Sequence, residues 1–369
     1  MPFGPFAPGP PEYVGCVGQG DEWIDTMHEA LVLQQIACVS LGSALYGDLL
    51  RGLVDDYVAG GTTHAVLAGR FERPVHDAAP LRLLGAVHSL ALSGRAPAVA
   101  AHFPSCGGTP GAGLVGDVLD AIASRSDFVE AALSRQVQTN EVGRSIVHLS
   151  VSHWLGARGL AHFDHLEVGA SAGLNMNFDS FYADTGTGAM GDPASTVRFG
   201  REWFDVPPSI AAHPAVVRAR RGCDPFPIDV VTDPAQAVRL LSFVWPDQAE
   251  RFARTRAAID IASTNPPVID ADSADTWVER MLASPLTAPT VVFHSIVWQY
   301  LGAQVQDGLR RTLERAGARA TELNPLFWIR MEPAGAVAHV TATEWSGGDR
   351  IETILCEVGY HGRGMRWLV

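Results

Sequence analysis

The run HLEVGASAGLNMNF, residues 165–178, holds the side chains best suited to chemistry. An apolar segment ends in Glu167, a turn carries Gly169 and Gly173, and a stretch able to start a helix follows. Glycines at such a turn let the backbone bend sharply and approach a ligand closely. Acids recur at the ends of later apolar runs. GCDPFPIDV puts Asp224 where a carboxylate can accept two hydrogen bonds from ribose hydroxyls. VIDADSADTW puts Asp272 and Ser273 where a base amino group would lie. TVVFHSIVWQY ends near His294, a candidate general base because its ordinary pKa is close to neutrality. Trp298 and Tyr300 follow on the same element, and either ring face could stand against a cation; Tyr300 joins His294 as a candidate catalytic residue.

Acid, glycine turn, acid, acid, then a polar residue, in that chain order, reads as a loop for adenosylmethionine. Glu167 would orient the turn and receive the cofactor's cationic amino-acid end, while the backbone from Gly169 through Ala170 and Ser171 to Gly173 cradles the rest. In QTNEVGRS, residues 138–145, a helix would present Asn140 and Arg144 on one side, so Arg144 could grip the cofactor carboxylate or an anionic substrate bidentately. The alternative there is an Arg–Glu helix cap. Asp224 and Asp272 could likewise each cap the helix that follows.

The same turn also spells G-x-S-x-G, the nucleophile elbow of serine hydrolases, with Asp272 and His361 following Ser171 in the order of a triad. Two features disfavour it. About 150 largely helical residues precede the elbow where that fold has strands, and an acid such as Glu167 has no use there.

Composition narrows the rest. The 369 residues carry 40 acidic and 27 basic side chains, a formal charge of -13, which disfavours a surface that neutralises phosphates of nucleic acid. Every basic residue is arginine, which removes Schiff-base, pyridoxal and P-loop chemistry. Five cysteines, Cys16, Cys38, Cys106, Cys223 and Cys356, form no CxxC pair, and the histidines show no zinc spacing, so neither disulfides nor a metal are expected. His162 and His165, three apart on a strand, would face opposite sides. The start, MPFGPFAPGPPEY, is not a signal peptide, and no run reaches the length of a membrane span. A cytoplasmic protein acting on a small molecule, without nucleic-acid or membrane partners and of unspecified oligomeric state, is the expectation.

Residues 22–157 show helical periodicity, with Leu45, Leu49 and Leu53 four apart. From about 161, short apolar runs alternate with helical stretches such as QAVRLLSFVWPDQAERFARTRAAIDIA. That pattern predicts a mostly parallel sheet covered on both faces, with a hairpin across SGGDR at its edge. The expected division is a helical cap over 1–157 and an α/β, Rossmann-like domain over 158–369, with the active crevice between them.

PLRLLGAVHSLALSG, QTNEVGRS, LEVGASAGLN, LLSFVWPDQAERFARTRAAI and VVFHSIVWQYL resemble, over nearly the whole chain, a bacterial family known as a domain of unknown function. Residues 161–369 resemble the class I adenosylmethionine-dependent methyltransferase fold. That resemblance implies a seven-stranded sheet whose last strand is antiparallel, with the cofactor across the first two or three strands. It departs from the usual pattern in having Ala170, Ser171 and Ala172 between the glycines, and in the insert FDSFYADTGTGAMGDPASTVRFGREWF before the second strand. The expected activity is methyl transfer from S-adenosylmethionine. Cyclisation of the cofactor's aminobutyl group, a Ser171 hydrolase and a non-catalytic nucleotide-binding protein are the alternatives.

Overall fold

A computed structural model describes residues 26–369; the proline-rich arm, Cys16, Trp23 and the first residues of the helix predicted from 22 lie outside them. The chain folds as two compact units. One, running to Thr139 and including Asp233–Ala253, is helical among its described residues. Its first helix, Met27–Ser40, opens on a capping box: the Thr26 hydroxyl accepts the Glu29 amide and the Glu29 carboxylate accepts the Thr26 amide. Leu45, Leu49 and Leu53 are buried as their spacing requires, in a core with Leu83, Phe103 and Trp245.

The second unit spans Asn140–Thr232 and Arg254–Val369. The units therefore do not divide at 157/158, for two reasons. Helix Ser145–Ala157 is buried nearly all round within the sheet unit, its serines and histidines included, as a helix covering a sheet must be. The long helix predicted over 236–262 breaks around Pro246 into Pro234–Ser242 and Ala249–Thr264, and Leu240 and Trp245 are buried in the helical unit.

The strands are β1 (His162–Val168), β2 (Tyr182–Asp184), β3 (Ala189–Gly191), β4 (Arg198–Phe199), β5 (Phe204–Val206), β6 (Val216–Asp224), β7 (Ile269–Ala271), β8 (Thr290–Ser295), β9 (Leu326–Ala334), β10 (Val337–Ser346), β11 (Asp349–Val358) and β12 (Met365–Trp367). Nine form one mostly parallel sheet ordered β5-β12-β11-β10-β9-β8-β1-β6-β7, and the insert after β1 folds into the small sheet β3-β2-β4. The expectation of seven strands with one antiparallel at the end needs correction. After β9 the chain reverses at Gly335, where φ is +75°, and runs β9-β10-β11-β12 as an antiparallel meander. The SGGDR hairpin does form, between β10 and β11, but β12 and β5 lie beyond it, so it is not the edge. Nor is every strand covered on both faces. β6 is largely exposed and holds its arginines in bidentate pairs, Arg218 with Asp164, Arg220 with Asp179 and Arg221 with Asp270.

Among the described residues no helix is long and apolar enough to cross a membrane. The parallel run β7-β6-β1-β8-β9 starts in its middle: β1 is laid first, β6 and β7 extend one side, and β8 and β9 extend the other. The point where the order reverses lies between β1 and β8. In open α/β sheets that is where ligands bind, at the carboxyl ends of the strands.

Candidate functional site

Strand β1 alternates its side chains, so Phe163, His165 and Glu167 share one face and Leu166 and Val168 the other. On the first face, His148 from helix Ser145–Ala157 packs against Phe293 of β8 with ring centroids 3.8 Å apart, and against His165 at 5.1 Å and Phe178 at 5.4 Å. The result is a closed column of three titratable groups: His148 and His165 are each 2% exposed and Glu167 3%. His148 Nε2 lies 4.0 Å from Glu167 Oε1. Glu167 Oε2 and both ring nitrogens of each histidine have no hydrogen-bond partner of good geometry, although the Arg144 carbonyl lies near enough to favour protonation of His148 slightly. Burial pushes the Glu167 carboxyl up to about 8 against the pull of Arg144. Burial, aided by Arg220, lowers His165 to about 3, and burial followed by the charge on His165 holds His148 well below the ordinary histidine value. At neutral pH all three are uncharged. Among the described residues no group of three or more His, Cys, Asp or Glu is placed to hold a metal.

The glycine turn that follows is held from outside. Gly169 and Gly173 have φ of +71° and +69°. The Gly169 and Ala170 amides both donate to the Cys223 carbonyl of β6. Ser171 donates its amide to Asp224 Oδ2 at 3.0 Å, and Phe226 donates to Oδ1 at 2.9 Å. Asn140 Oδ1 accepts the Leu174 amide at 2.9 Å. Asp224 and Asn140 are thus clamps on the turn, and burial raises the Asp224 carboxyl although both amides oppose it. Ser171 itself has φ of +56°, and its hydroxyl is buried without a partner. Ile296, directly after β8, has φ of +50°. Two of the three left-handed non-glycine residues among those described therefore sit at the carboxyl ends of the adjacent strands β1 and β8, where backbone strain marks a shaped site. Gly169 faces this second turn: a Cβ built on it would lie 2.4 Å from Val297.

The other expected residues fall into two groups. Arg144 reaches the same switch point, donating from Nη1 to the Ser295 carbonyl and from Nε to the Tyr360 carbonyl. It does not share a helical face with Asn140, because Asn140 precedes a 3-10 turn, Val142–Arg144, that Glu141 caps through the Gly143 amide. Asp272 is engaged by its own helix: it accepts from the Ser273 amide and the Thr276 hydroxyl and pairs with Arg280 at 2.6 Å, and these partners lower its pKa. Ser273 donates to Asp275. Asp272→Ala should cost about 1 kcal/mol through the start of helix Ala274–Met281, and leave any ligand-induced rise in the unfolding midpoint unchanged.

His294 faces away from Glu167. Glu167 pairs with Phe293 across the parallel ladder, so the next residue, His294, points to the opposite face with Val168. There it is fully buried, stacked on Trp298, with Nδ1 2.6 Å from Glu332 Oε1, which also accepts the Val297 and Trp298 amides. Its Nε2 has no partner. Tyr300 is 41% exposed at the end of the turn Trp298–Tyr300. The alternative triad is not assembled: the Ser171 hydroxyl has no partner, and the groups bonded to Asp272 do not include His361. Ser171 shares only the left-handed backbone of a nucleophile elbow.

His148, His165 and Glu332 are site residues that motif spacing does not single out. The available signals were a histidine, His148, in the middle of a largely apolar helix, and two polar residues, His165 and Glu167, at i and i+2 on one face of β1.

The model of the family described as "Uncharacterized protein conserved in bacteria (DUF2332)" matches residues 28–367. No curated protein and no solved structure matches the chain.

Proposed function

The chain belongs to this bacterial family, and we propose that it binds S-adenosylmethionine and transfers the methyl group to a small molecule. The observation that carries the reading is Glu167, a buried carboxyl with an unpartnered oxygen at the topological switch point, beside a glycine turn that Asp224 clamps from the next strand. The order β7-β6-β1-β8-β9 supports a class I methyltransferase-like arrangement for those five strands. The residues fit the cofactor at its amino-acid end, where Glu167 Oε2 and the Ser171 hydroxyl are both buried without a hydrogen-bond partner. They do not fit it at Asp272, whose carboxylate is taken by Arg280 and Thr276, so an adenine amino group needs another partner.

The bound cofactor would supply an electrophilic methyl on a sulfonium. Glu167 would receive the ammonium end, with Gly169, Ala170 and Gly173 giving the backbone approach and Asn140 and Asp224 keeping the turn in place. His294, buried on the other face of the sheet with its Nδ1 tied to Glu332 and its ring stacked on Trp298, would hold the turn Trp298–Tyr300 in place rather than take the acceptor's proton.

Unfolding with and without ligand tests the reading. S-adenosylmethionine and S-adenosylhomocysteine at a hundredfold excess over Kd should each stabilise the sheet unit by about 2.7 kcal/mol. Mass spectrometry of an acceptor panel should then find a methylated product. A midpoint that neither ligand moves overturns the proposal.

A further inference from the structure

We propose that the switch-point site takes up an ammonium group in exchange for the proton of Glu167, which makes the residue a specificity element for ligands with a cationic amino-acid end. The inference rests on the cofactor reading above and adds what selects the ligand.

The surroundings of Glu167 are the reason. Across the sheet it meets Gly222 on β6 and Phe293 on β8, neither of which carries charge. Along its own strand the next residue on its face is His165. From the helix above come His148, with Nε2 at 4.0 Å, and, at that helix's start, Arg144. Phe178, from the segment Leu174–Ser180, packs against both of these histidines. Both histidines are held neutral by burial. Among the described residues Arg144 is the cation that acts on Glu167, and its guanidinium donates to the Ser295 and Tyr360 carbonyls. No donor meets Oε2, and a closed, apolar setting without a donor favours the neutral acid.

An ammonium placed at Oε2 reverses that preference, since opposite charges in a medium of low polarity attract strongly. The balance is simple. The O–H bond of the Glu167 carboxyl breaks, its proton leaves to solvent, and the carboxylate that remains pairs with the ligand's ammonium; His148 and His165 stay neutral throughout. A ligand that lacks the amino-acid end gives no exchange.

Isothermal titration of the full chain at pH 7, run in buffers of low and high ionisation enthalpy, reads the exchange directly. S-adenosylhomocysteine should release about one proton per molecule bound, and its Kd should fall by up to about tenfold per unit between pH 6 and pH 8. Methylthioadenosine, which has no amino-acid end, should bind without proton release and with a flat pH dependence. Glu167→Gln should weaken S-adenosylhomocysteine and abolish the release. S-adenosylhomocysteine bound with no proton released overturns the exchange while leaving the cofactor reading intact. Failure of both nucleosides to bind at any pH overturns the cofactor reading, and the exchange with it. The comparison of the two ligands on the unaltered protein keeps the test valid if the variant fails to fold.

Discussion

The sheet unit should be most stable near pH 6.5 and should lose stability on both sides of it. The signs follow from the buried column. The Glu167 carboxyl titrates near 4.5 in the unfolded chain and at about 8 in the folded one, so between those values the folded chain holds one more proton. Raising the pH therefore favours unfolding by about 1.4 kcal/mol per unit, roughly 5 kcal/mol over the whole interval and about 2 kcal/mol from pH 6.5 to pH 8. The histidines act in the opposite sense. His165 titrates at 6.5 unfolded and at about 3 folded, and His148 is also lowered, so below pH 6.5 the unfolded chain holds the extra protons. Two histidines then outweigh one acid, and stability falls as the solution is acidified. Urea denaturation from pH 5 to pH 9 should trace a peak, and Glu167→Gln should flatten the alkaline arm and steepen the acid one, where Glu167 no longer offsets a histidine. A wild-type curve that rises from pH 6.5 to pH 8, or a variant that parallels it, would show that Glu167 is ionised in the folded protein.

Much of this arrangement is legible in the chain, and what is not follows a pattern. β6 ends at Asp224, as the run VVRARRGCD indicates, and Leu45, Leu49 and Leu53 are buried, because periodicity and a stop signal are properties of neighbouring residues. Register is not such a property. The side to which His294 points is set by the pairing of Glu167 with Phe293, which no local pattern states. The partner of His294, Glu332, lies 38 positions away on β9 and reads in sequence as one polar residue in a strand. The reversal at Gly335, which the expectation of one antiparallel strand at the end left out, takes only two residues, Gly335 and Ala336. Pro246 breaks the helix expected across it, and the burial of Trp245 in the helical unit depends on residues far away in the chain. The site shows the same division. Glu167, Gly169 and Asp224 announce themselves by spacing, whereas the column is completed by His148, which only tertiary packing brings beside them.

That dependence on packing gives the turn its largest expected mutational effect. Gly169→Ala meets two separate costs. An alanine at φ of +71° is strained by about 1–2 kcal/mol, and its Cβ would overlap Val297 Cγ2 at 2.4 Å, a side chain with little rotamer freedom. Overpacking of this kind costs about 1–3 kcal/mol, so the substitution should destabilise the sheet unit by about 3 kcal/mol in all. The two costs separate in a double-mutant cycle. Val297→Ala alone removes side-chain volume and should destabilise slightly; in the Gly169→Ala background it should restore stability, with a coupling of about 1–2 kcal/mol. The strain at φ remains, because no neighbour can relieve it. If the turns after β1 and β8 form one ligand surface, the double variant should regain the fold yet bind S-adenosylhomocysteine more weakly than wild type, since the turn keeps its strain. Additive costs, with no coupling between Gly169 and Val297, would mean that the two turns do not meet as described, and the switch point would lose the contact that joins its two walls.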